Sequence, residues 1–177
     1  MARSNDPLPR QVDVRRLIAA GTEISAQEPL KSFARFTDML ESDSGVVDIE
    51  LRFYVDEAGI KRIDGELHAE VSVLCQRCLG PMPLVLDTEF SVALVWSDAE
   101  AACVPRALDP HIAGDEPEDL RPLLEDELIV SLPFVSYHER EDCAGMLEPA
   151  AGDEQYQAQT ERKENPFTVL ERLKSGH

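Results

Sequence analysis

Three runs of alternating apolar and polar residues lie close together between Val46 and Trp96, and they leave the chain few folds to choose from. Within Val46–Val55, the stretch Val47-Asp48-Ile49-Glu50-Leu51-Arg52-Phe53 alternates without a break. That is the period of a strand with one face in a core and one in solvent. Asp56-Glu57-Ala58-Gly59 reads as a turn. Ile60 to Leu74 reads as a second strand, long enough to carry a bulge, with Ile63, Leu67, Ala69, Val71 and Val73 on one face. Pro83 to Trp96 reads as a third, through Leu84, Leu86, Phe90, Val92, Leu94 and Trp96. The expected fold class is α+β: an antiparallel β-meander or partly closed barrel with a few helices and a short C-terminal helix.

The flanking sequence is less regular. Residues 1–10 read as a flexible lead, and Gln11 to Ile18 fits either a short strand or the start of a helix. Leu30 to Met39 has no clear period. Asp98 to Glu118 is acidic and broken by Pro105, Pro110, Gly114 and Pro117, which suggests a mobile surface loop. Asp119 to Leu132 reads as a helix with Asp119 as N-cap, with Leu120, Leu123, Leu124 and Leu128 inward and Pro133 as its stop. Residues 144–164 have almost no bulky aliphatics, a composition that cannot bury enough surface to order itself. Asn165-Pro166 then opens a short helix with Phe167, Leu170 and Leu173 on one face. Such a helix is marginal alone and must dock on the body or on a partner. The expected organisation is one α+β domain over 1–143 with an acidic loop near 98–118, a flexible acidic linker over 144–164, and a C-terminal helix motif over 165–177.

Charge narrows the function. The chain has 177 residues, a net charge of −18 and a pI of about 4.5. Nucleic-acid binders neutralise phosphates with Lys and Arg, so this chain as a whole repels bare RNA or DNA. Its field suits solubility, or a basic partner such as a ribosomal protein. No apolar run approaches the ~20 residues needed to span a bilayer, and no membrane partner is expected. A cytoplasmic location is expected, and there a Cys-x-x-Cys binds metal or acts in redox chemistry more often than it forms a structural disulfide. Aromatic content is 6%, so the core should be mostly Leu, Val and Ile.

The motif Cys75-Gln76-Arg77-Cys78 falls in the turn between the second and third strands. Its spacing lets two thiolates reach one zinc at about 2.3 Å each. Among Cys143, His138, Cys103 and His111, the first two are the better further ligands, because they follow the Pro133 break and can fold back onto the turn. The metal set expected is Cys75, Cys78, His138 and Cys143, holding a structural zinc. A thioredoxin-like role fits less well, since the cysteines sit within a meander and not a βαβ unit. A reduced, purely structural turn is the third reading. Arg77 would lower the cysteines' pKa in either active reading, or make a surface contact.

Glu125-Asp126-Glu127 cannot converge on one small site, because consecutive helical residues point in different directions. They form either a solvated face or an interaction surface for a basic partner. His68 reads as a rim residue and Trp96 as core. Arg3, Arg10, Arg15 and Arg16 are either scattered charge or a phosphate contact. The chain has no Gly-x-Ser-x-Gly elbow, P-loop or dinucleotide fingerprint, so catalysis is not expected.

Four motifs in order resemble one family: Cys75-Gln76-Arg77-Cys78, the run Leu124-Glu125-Asp126-Glu127-Leu128-Ile129 ending at Leu132-Pro133, His138 with Cys143, and the box from Asn165-Pro166-Phe167 to Lys174. This is the YceD family, the large ribosomal RNA subunit accumulation proteins of bacteria and plastids. The resemblance runs from about Val46 to Lys174 and implies a role in ribosome biogenesis. Family genes commonly lie beside the gene for a small basic large-subunit ribosomal protein, which suggests such a partner. The implied function is a non-enzymatic factor for synthesis, processing or accumulation of 23S rRNA. It would bind a large-subunit ribosomal protein or pre-ribosomal particle, with rRNA contacted indirectly and no DNA. The alternatives are an RNA-processing enzyme or a direct rRNA-binding protein. Arg77, Glu125, Asp126, Glu127, Asn165, Pro166, Phe167 and Leu170 are the expected interaction residues.

Overall fold

The computed structural model describes residues 6–139 and Cys143. The architecture is that of the unit ending at His138. The elements are α1 (Val14–Ala20), β1 (Glu23–Pro29), a 3₁₀ turn (Leu30–Ser32), α2 (Ala34–Thr37), β2 (Val46–Val55), β3 (Lys61–Leu74), β4 (Pro81–Val95), α3 (Asp98–Ala101), β5 (Asp109–Ile112) and α4 (Arg121–Ser131). The strands form one five-stranded sheet in the order β1-β2-β3-β4-β5. Neighbours from β1 to β4 are antiparallel, and β5 joins β4 in parallel. The α+β expectation holds, and the sheet is mixed and open. Pairing of β3 with β2 and β4 runs in continuous register, with no bulge.

The sheet has two unlike faces. On the core side, Val47, Ile49, Leu51 and Phe53 of β2 meet Ile63, Leu67, Ala69, Val71 and Val73 of β3 in one buried cluster. Val14 and Ile18 of α1, together with Leu120, Leu124 and Leu128, belong to the same cluster. Despite the low aromatic content, Phe33, Phe36 and Phe53 are its largest fully buried side chains. Gly65 leaves room for the Phe90 ring from β4. A Cβ there would sit 2.2 Å from that ring, so glycine is required for close approach and not for turning.

Two buried carboxylates tie distant segments together. Glu28 of β1 points into the core and accepts from Leu8 N and from Arg121, each at 2.8 Å, and from the Ser32 hydroxyl at 3.0 Å. Glu125 of α4 accepts from the backbone N–H of Arg35 at 2.7 Å and of Phe36 at 3.2 Å, and from Arg35 Nε at 2.8 Å. These first N–H groups of α2 have no intrahelical partner, so Glu125 acts as a cap supplied from another helix.

The ambiguous stretches resolve locally. Gln11 to Ile18 contains the start of α1, capped by Asp13, whose side chain accepts from Arg16 N at 3.1 Å. The expected loop over 98–118 contains α3 and β5. Helix α4 starts at Arg121, one residue later than Asp119 as N-cap would place it, although Asp119 still accepts from Arg121 N at 3.0 Å. The expected linker and C-terminal helix, with Asn165, Pro166, Phe167 and Leu170, lie outside the described residues.

Candidate functional site

The turn between β3 and β4 forms a tight knuckle. Cys75 N donates to Gly80 O at 2.9 Å and Leu79 N to Cys75 O at 2.8 Å. Closing it puts Leu79, a non-glycine residue, at φ 58°. The segment after α4 runs alongside: Gln76 N donates to Ser136 O at 2.9 Å, and the Arg77 guanidinium to His138 O at 3.2 Å. Arg77 therefore helps to fix the backbone that carries His138.

These contacts gather sulfur and nitrogen. His138 Nδ1 lies 3.3 Å from Cys78 Sγ, and His138 N lies 3.5 Å from Cys75 Sγ. The ligand atoms of Cys75, Cys78, His138 and Cys143 all lie within 4.8 Å of one another. Burial pushes the Cys75 thiol up, but N–H donors from Cys78, His138 and Arg77 outweigh it and bring the pKa down to about 5. The group is thus a thiolate at neutral pH, the form that binds metal. Three thiols and one imidazole are a fitting donor set for a closed structural zinc site. Cys103 is exposed and His111 bonds Glu118 at 3.1 Å; neither belongs to the cluster.

The solvent side of the sheet is a grid of charge set by strand register. One row reads Gln27–Asp48–His68–Asp87 across β1 to β4, and the next reads Ser25–Glu50–Glu66–Glu89. Glu50, Glu66 and Glu89 are therefore direct cross-strand neighbours. Among the described residues none of the three carboxylates has a hydrogen bond or ion pair. Like charges directly opposite destabilise a sheet. The row lies in a broad concavity of about 890 Å³, with Arg52, Arg62 and Asp64 at its other end. There Arg52 bonds Asp64 at 2.8 Å. His68 bonds Asp87 at 2.6 Å.

The acidic helix triplet divides. Glu125 is buried, Asp126 pairs with Arg35 Nη1 at 2.8 Å, and half-buried Glu127 has a pKa raised by burial and by the nearby Asp109 and Asp126 carboxylates. Trp96 is half-buried between Arg15 and Lys61, with their cationic groups 4.9 and 4.7 Å from the ring centre. Sequence reading missed the carboxylate row. Its members were visible as the polar half of three alternating strands, but only the register makes them neighbours.

A family model described as "Large ribosomal RNA subunit accumulation protein YceD" matches residues 63–174, from β3 onward. A Haemophilus influenzae protein named "Large ribosomal RNA subunit accumulation protein YceD" is 34% identical over 130 residues, covering 71% of this chain and 72% of that one. No solved structure matches.

Proposed function

The chain belongs to the YceD family of large ribosomal RNA subunit accumulation proteins, and on that premise we propose that it is a non-enzymatic, cytoplasmic factor in ribosome biogenesis. It serves the synthesis, processing or accumulation of 23S rRNA by binding a basic large-subunit ribosomal protein or a pre-ribosomal particle, and it meets rRNA indirectly. The observation that carries this reading is the row Glu50–Glu66–Glu89. These carboxylates repel one another across the strands, and a cationic partner would relieve that repulsion. The row lies on a sheet face and not among convergent acid and base groups, which supports binding over catalysis. No helix among the described residues is long and apolar enough to cross a membrane.

In this reading Cys75, Cys78, His138 and Cys143 hold one zinc as a structural pin. Asp126, Glu127 and Arg77 are further contact residues, and the Asn165–Lys174 box docks on the body or on the partner.

The test is a pull-down of tagged protein from its own cells, with and without RNase. Large-subunit ribosomal proteins retained after RNase support the proposal. Ribosomal proteins and rRNA lost together on RNase treatment would point to direct RNA contact and overturn it.

A further inference from the structure

Strand β4 is the longest of the five, and among the described residues most of its outer edge has no strand beside it. It runs from Pro81 to Val95 and pairs with β3 from Pro81 through Ala93. On the other side β5 covers only Val92–Val95. Among the described residues no strand lies beside Met82–Ser91. The core cover also thins there. Leu67, Ala69, Val71 and Val73 on β3 are at most 5% exposed, whereas Met82, Leu84 and Phe90 on β4 are only partly buried. Leu86 between them stays buried, and on the solvent face Val85 is 56% exposed. The opposite edge of the sheet is shorter and partly closed: β1 has seven residues, Gln27 N donates to Asp6 O at 2.9 Å, and Pro29 ends the strand.

An open edge presents unpaired backbone N–H and C=O groups in a fixed repeat, the template for adding a strand from another chain. The side chains beside it set the chemistry of the guest. Asp87 and Glu89 point to the solvent side at alternate positions, with Glu66 and His68 on the next strand. Thr88 lies between them on the core side, with a buried hydroxyl that has no hydrogen-bond partner among the described residues. Successive same-face residues of a strand are about 6.6 Å apart. A guest with Lys or Arg at every second position therefore meets carboxylates where it passes Asp87 and Glu89, while its other residues fall toward Leu84 and Leu86.

We infer that the β4 edge from Met82 to Ser91 accepts an extended, basic segment of the protein partner as an added strand, with alternate cations over Asp87 and Glu89. The inference rests on the proposed binding of a basic protein and specifies how that protein is held.

The experiment uses the full chain and two capped ten-residue peptides of alternating Lys and Val. One is unmodified. The other is N-methylated at every second residue, so it keeps its charge but cannot complete a ladder. The expected result is slower amide exchange across Met82–Ser91 with the first peptide, at least tenfold weaker binding of the second, and a similar loss for the Asp87→Lys, Glu89→Lys double variant with its fold intact by circular dichroism. Equal binding of both peptides, reduced by Glu50→Gln and Glu66→Gln, would overturn strand addition while leaving the acidic-face reading in place. Binding of neither peptide would also overturn it, with the pull-down judging the function independently. Protection of β4 that rises with protein concentration and without peptide would assign the edge to a second copy and overturn it as well.

Discussion

His138 directs Nε2 at the carbonyl oxygen of Pro81, 2.9 Å away, while its Nδ1 faces Cys78 Sγ at 3.3 Å. A carbonyl only accepts, so Nε2 carries the hydrogen, and a neutral ring so held turns its Nδ1 lone pair toward the thiols. This is the outer-shell arrangement that sets tautomer and orientation in a ligating histidine. The first residue of β4 thus aims a side chain that lies 57 positions later in the sequence.

Protein purified without chelator should carry about one zinc per chain by elemental analysis. Cys75→Ser and His138→Ala should each lose most of it and unfold at lower temperature. Chelated wild type should shift in the same direction. A metal-free chain with unchanged melting would remove the structural role of the metal.

Glu125 should matter more than an acidic residue on a helix usually does. Glu125→Ala strands the N–H groups of Arg35 and Phe36, for an expected cost of about 2–4 kcal/mol in urea unfolding. Glu125→Gln keeps an acceptor for those N–H groups and should cost less. Arg35→Ala removes a half-exposed partner and leaves the cap in place, so a much smaller loss is expected. Equal losses for Glu125→Ala and Arg35→Ala would show that the ion pair matters and the cap does not.

How much of this was legible follows from how local each signal is. Strands β2, β3 and β4 announce themselves by alternation, and their core faces were readable residue by residue. Strand β1 does not, because its Glu28 faces the core and is satisfied by Arg121, a partner 93 positions away. Strand β5 is four residues, Asp109-Pro110-His111-Ile112, and pairs in parallel, so neither length nor pattern marks it. Glu125 looks like its acidic neighbours in sequence, and only the position of α2 separates them. The Cys75–Cys78–His138–Cys143 cluster was legible because thiols and imidazole carry their chemistry in their identity. The carboxylate row was not, because neighbourhood across strands depends on register.

Glu127 should make stability depend on pH in an unusual direction. Its folded-state pKa lies above the ordinary 4.5, through burial first and then the Asp109 and Asp126 charges. Between the unfolded and folded pKa values the native state binds more protons, so stability falls as pH rises through that window. The penalty is fully present above the folded pKa and vanishes below the unfolded one. Glu127→Gln should therefore stabilise at neutral pH by about 0.5 kcal/mol or less, with the gain disappearing as pH drops through 4.5. Melting curves of both proteins across that range measure it, and a pH-independent difference would mean the carboxylate charge is not its source.

Glu66 sits between Glu50 and Glu89 and feels both. Glu66→Gln removes two cross-strand repulsions while keeping the size and strand position of the side chain. The isolated protein should gain about 0.5–1 kcal/mol, and the gain should shrink in high salt as the repulsion is screened. Retention of ribosomal proteins in the pull-down should move the opposite way and fall. Opposite signs are the mark of a charge kept for a partner at the expense of the free fold. A structural acid would lose both stability and binding, and an idle one would gain stability with retention unchanged. Urea unfolding at low and high salt, run beside the pull-down on the same variant, separates the three.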